Sequence, residues 1–138
     1  MGWVEDEFLD HAAYERLTPR LWDSVRDSSG QAVHEFNVRM GGVAVFQLKD
    51  CTARGPHCLR IQKTGEKPSI EVFLDTGDRS FKAAAGSGKA RRICGYRLLT
   101  DRSALEFFGE EGTSTADQVC RNALREFLFT PFPAIPSP

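Results

Sequence analysis

The chain reads as an α+β protein: a two-layer sandwich with N-terminal helices, an antiparallel meander sheet of five or six strands, and a C-terminal helix. Three observations predict this. The first third of the 138 residues carries apolar side chains at helical spacing. The middle breaks into short strand-like runs joined by short turns. The last periodic segment opens with a capping signature. Strands grouped between helices, without βαβ alternation, favour this class, and short connections favour antiparallel neighbours.

Residues 3–17 form the first helix candidate. Phe8, Leu9, Ala12, Ala13 and Leu17 recur at helical spacing, and Glu5, Asp6 and Glu7 suit the positive end of the helix dipole. Thr18-Pro19 then reads as an N-cap followed by proline in the first helical position, so a second helix is expected to start near Pro19. Its stripe is Leu21, Trp22, Val25, Ala32, Val33 and Phe36. Asp27-Ser28-Ser29-Gly30 weakens its centre. A competing reading makes residues 32–40 a strand, with Gly41-Gly42 as a hairpin turn. The helical stripe spans more residues than that alternation does, and the helix is preferred.

Strands are expected over residues 43–49, 58–62, 69–74, 79–84, 91–99 and 104–108, with turn-forming residues between them. Residues 115–129 form the closing helix. Thr115-Ala116-Asp117-Gln118 matches a capping box, and Val119, Cys120, Ala123, Leu124, Phe127 and Leu128 form its apolar stripe. Residues 1–129 are thus expected to be one domain. Residues 130–138, with four prolines, form a tail that cannot continue the helix.

Composition is that of an ordinary globular chain, with 41% hydrophobic and 27% charged residues, and the net charge of -1 selects no partner. The charge is unevenly placed. Residues 1–38 hold eight acids against three Lys/Arg, and residues 79–102 hold seven Lys/Arg against Asp101. Lys82, Lys89, Arg91 and Arg92 in that basic block are the candidate binding residues. Simple alternation places Arg91 and Arg97 on one sheet face and Arg92, with Cys94, on the other. That split argues against specific nucleic-acid binding.

No motif survives inspection as chemistry. Gly86-Ser87-Gly88-Lys89 lacks the earlier glycine and the later Ser/Thr of a phosphate loop, and it joins two strands. Cys51, His57 and Cys58 lack the paired spacing of a zinc site. Cys94 has Arg91 and Arg92 nearby but reads as a packed thiol. His34, beside the apolar stripe, is the best-placed acid/base group, and an interfacial histidine is the plainer reading. Glu7 with His11, and Asp23 with Asp27, lie one turn apart on what should be solvated helix faces. Phe127, Phe129 and Phe132 bring apolar bulk to the end of the last helix. No catalytic residue, metal or cofactor is therefore expected.

The N-terminus lacks a basic and apolar leader pattern, and no apolar run approaches the roughly 20 residues of a spanning helix. A cytoplasmic protein with four reduced cysteines and no membrane partner is the expectation. The leading functional expectation is a non-enzymatic protein–protein interaction or assembly module, with a protein partner or self-association. A small apolar-ligand carrier with a pocket between sheet and helices is the alternative. Polyanion or nucleic-acid binding through residues 79–102 ranks third.

Overall fold

A computed structural model describes residues 2–86 and 88–129. One helix, α1 (Trp3–Arg39), leads into seven strands: β1 (Phe46–Cys51), β2 (Cys58–Lys63), β3 (Ser69–Asp75), β4 (Ser80–Ala85), β5 (Arg91–Leu98), β6 (Leu105–Gly109) and β7 (Gly112–Ser114). Helix α2 (Ala116–Phe129) closes the described chain. The strands follow one another across a single antiparallel meander. The class is α+β as expected, with seven strands where five or six were anticipated. The additional strand is the three-residue β7, which pairs with β6 across the Glu110-Glu111 turn and is too short to show alternation.

The two expected N-terminal helices are one helix of 37 residues. Pro19 removes one backbone donor but sits on the exposed side, and Thr18 Oγ1 donates to the Tyr14 carbonyl at 2.6 Å. Ala13, Leu17 and Trp22 are buried around the proline. Val25, Ser29, Val33 and Phe36 are buried across the weak Asp27–Gly30 centre. Tertiary burial on both sides of each break outweighs local propensity. Residues 32–39 are accordingly helix, not strand. Gly41 and Gly42 do not turn a hairpin. They adopt left-handed φ values of 93° and 81°, and Gly42 N–H donates to the Asn37 carbonyl at 3.0 Å, ending the helix. Asn37 then clamps the sheet edge: its side chain exchanges two hydrogen bonds, of 3.0 and 3.1 Å, with the Phe46 backbone.

Both helices cover one sheet face. The core joins Val25, Val33 and Phe36 of α1 and Val119, Leu124 and Leu128 of α2 to Leu59, Ile61, Val72, Phe81, Tyr96 and Phe107 of the sheet. The capping box forms as its sequence predicts: Gln118 N–H donates to Thr115 Oγ1 at 3.2 Å, and Thr115 N–H donates to Gln118 Oε1 at 2.8 Å. Ser28 meets Asp117, Ser29 meets Cys120, and Phe36 meets Phe129. These pairs advance in the same direction along both helices, so α1 and α2 run parallel.

Two arginines at strand turns hold the N-terminal half of α1. Arg79 and Arg102 have φ values of 54° and 58°, a conformation that non-glycine residues rarely adopt. Arg79 lies 3.6 Å over the Tyr14 ring, and Arg102 Nε donates to Asp10 Oδ1 at 2.7 Å. The Leu98 N–H donates to the Tyr14 hydroxyl at 2.9 Å. Residues 10–14 are thereby fixed to the end of the sheet, and Asp6 also reaches Arg102 at 3.7 Å. The expected proline-rich tail, residues 130–138, lies outside the described residues.

Candidate functional site

The helix-free sheet face is closed by its own side chains. Glu71 on β3 is 4% exposed. It accepts a 3.0 Å hydrogen bond from Arg54 Nε and a 2.6 Å bond from Arg60 Nη2. Burial alone would raise its pKa; the hydrogen bonds from Arg60 and Arg54, and their charges, outweigh that and hold it below the ordinary carboxylate value. Arg54 also donates to the Gly88 carbonyl at 2.8 Å and lies 5.7 Å from the Phe73 ring centre, which folds the β1–β2 loop over the sheet.

Cys51 and Cys58 occupy paired positions at the base of that loop and form a disulfide, with Cα atoms 5.4 Å apart. The expectation of four reduced cysteines is corrected there. Hairpin register, not sequence spacing alone, brings these two sulfurs together. Cys94 and Cys120 are free and buried. Burial pushes each thiol up to about 11, against the charge of Arg92 for Cys94 and the Ser29 hydrogen bond for Cys120. Neither is an activated nucleophile. His34 is exposed on α1, not interfacial, because the buried stripe passes through Val33 and Phe36. His57, whose ring is tilted against Trp22 with ring centres 6.0 Å apart, has its pKa lowered by burial, with Asp23 opposing.

The basic block disperses. Lys82 Nζ lies 2.7 Å from Asp75 and 2.8 Å from Asp78. Arg97 pairs with Glu106 at 2.7 Å and lies 4.9 Å over Phe108. Phe81 pairs with Cys94 but Lys82 pairs with Arg92, so Ile93 is an extra residue in β5. This bulge overturns simple alternation. Arg91, opposite Ala83, faces the helices. Arg92 and Arg97 share the other face, and Cys94 opposes Arg92. Lys89 and Arg91 come together at a cleft of about 430 Å³ between α2 and the sheet. The four candidate residues therefore divide between two faces.

Among the described residues, the first turns of α1 expose large apolar side chains where the sequence suggested ordinary helix packing. Trp3 is 77% and Phe8 is 72% exposed, with Val4 and Leu9 also exposed beside them. Glu5 and Glu7 flank this end. At the other end, a groove of about 1000 Å³ runs between the parallel helices over Phe36, Leu124, Leu128 and Phe129. Arg39, Arg121 and Arg125 line it, with Glu35 and Asp117 as the opposing acids. Phe127 packs on Phe46, whereas Phe129 remains half exposed beside Phe36; Phe132 lies outside the described residues.

Among the described residues, no cluster of three or more His, Cys, Asp or Glu could hold a metal ion, and no helix is long and apolar enough to cross a membrane. No protein-family model, curated protein or solved structure matches the chain.

Proposed function

We propose that this chain is a non-enzymatic assembly module that associates with a second copy of itself. Residues 3–9 of one copy seat in the α1–α2 groove of the other. The single observation that carries the reading is the exposure of Trp3 and Phe8 on the first turns of α1. Large aromatics dominate interface energies, and several exposed apolar side chains round one helix end favour an interaction surface.

Charge complementarity selects the occupant. The helix end carries Glu5 and Glu7, while Asp6 and Asp10 are already engaged by Arg102. The groove offers an apolar floor and three arginines against two acids. Because both surfaces lie on α1, two copies with antiparallel α1 helices satisfy both contacts at once. Such a reciprocal arrangement closes into a dimer.

The thiols of Cys94 and Cys120 and the dispersed basic block support a binding role over catalysis or nucleic-acid recognition. The cytoplasmic reading keeps only the free thiols of Cys94 and Cys120 as support, and the Cys51–Cys58 disulfide weighs against it. Sedimentation equilibrium of the whole chain tests self-association. The wild type should form dimers, and Trp3→Asp/Phe8→Asp should be monomeric with an unchanged circular dichroism spectrum. A wild type that stays monomeric at the highest concentration reached would contradict the proposal.

A further inference from the structure

We propose that the cleft between α2 and the sheet binds an amphipathic carboxylate of the fatty-acid class. This cleft is separate from both surfaces used for assembly. It exists because small side chains oppose each other there. Ala83 and Ala85 on β4 face Ala123 on α2, where neighbouring positions hold Phe81 and Leu124. The larger pairs set the spacing between layers, and the alanines leave part of it unfilled.

The walls are apolar. Phe46 and Ile70 come from the sheet and Phe127 from α2. The volume of about 430 Å³ lies within the range of small-molecule pockets, about 300–1,000 Å³. An alkyl chain has the shape and chemistry for this space.

Cations gather at the mouth. Lys63, Lys89 and Arg91 border the cleft, against the single acid Glu126. Lys63 already holds Glu66 at 3.2 Å. Lys89 and Arg91 have no ion-pair partner among the described residues, and both are exposed. Arg91 faces this side because of the Ile93 bulge; regular alternation through β5 would have turned it away. Bulges commonly re-aim a side chain in this manner. An apolar interior with two uncommitted cations at its rim selects a ligand with an apolar body and an anionic head. The carboxylate would lie between Lys89 and Arg91, with the chain over Ala83 and Phe127.

Isothermal titration calorimetry with hexanoate, octanoate and decanoate, each below its micelle concentration, tests the site on the whole chain. Each added methylene should tighten binding about fourfold until the cleft is filled. Decanol should bind at least about tenfold more weakly than decanoate, because it cannot make the charge-assisted hydrogen bonds of a carboxylate. Lys89→Glu/Arg91→Glu should weaken decanoate by a similar factor and leave decanol unchanged. Ala123→Leu should abolish binding of both by filling the space. If that variant does not fold, the exposed Lys89/Arg91 pair decides alone. Absence of decanoate binding to the wild type would overturn the proposal. So would equal binding of decanoate by the wild type and the charge-reversed variant.

Discussion

Glu71 shows how single residues seal the second face of the sheet. Its folded pKa lies below the ordinary value of 4.5, because the Arg60 and Arg54 contacts outweigh the opposing effect of burial. An acid with a depressed folded pKa contributes stability above its unfolded pKa and loses it as pH falls through the folded one. Thermal stability should therefore drop on acidification below about pH 4.5. Glu71→Gln should be about 1–3 kcal/mol less stable at neutral pH and show a shallower acid loss; equal acid slopes in melts of the two proteins would remove Glu71 from this role. A second residue-level expectation concerns the thiols. Protein purified without reductant and alkylated in denaturant should show two free cysteines, Cys94 and Cys120, and four after reduction. Finding four before reduction would contradict the Cys51–Cys58 bond. At this scale the Thr115–Gln118 capping box was legible because it is local. The left-handed Arg79 and Arg102 were not, since their conformations are held by contacts with α1. The Cys51–Cys58 pairing was not legible either, because the expected first strand stopped at residue 49 and left Cys51 in the loop, whereas β1 runs to Cys51 opposite Cys58.

Among the elements, α1 departs most from local signals. Pro19 and the Asp27–Gly30 run both favour a break, yet the helix continues because its buried face spans them. Propensity sums were a poor guide there, whereas the apolar stripe through Trp22, Val25, Val33 and Phe36 was a good one. The continued helix leaves a residual cost at Gly30. A Cβ built at this position meets only Leu48 Cδ2, at 3.9 Å, which is ordinary contact. Gly30→Ala should therefore stabilise the protein by about 0.5–1 kcal/mol, read as a higher denaturation midpoint with unchanged slope. A lower midpoint would mean that the helix is not regular at its centre. In β5 the reverse holds. The strand was legible, but its phase was not, because the Ile93 bulge lies in the interior of an otherwise regular run. That one residue decides which face Arg91 occupies.

The molecule as a whole is a sheet covered on one side by two parallel helices and on the other by its own charged side chains. The layer order was legible from element order. The surface was not, because exposure depends on which turns of α1 another element packs against. Phe8 and Leu9 look like core residues in the sequence and are exposed in the fold. The same long helix thus carries an acidic, aromatic end and one wall of an arginine-lined groove, and the proposed self-association rests on these two surfaces meeting between copies. Charge reversal tests that pairing most directly. Glu5→Arg/Glu7→Arg in one chain, and Arg121→Glu/Arg125→Glu in another, should each weaken self-association when measured alone. Mixed in equal amounts, they should form a heterodimer in sedimentation velocity, since each reversed surface then meets its complement. Two variants that associate like the wild type, or that remain monomeric when mixed, would contradict the pairing of helix end and groove.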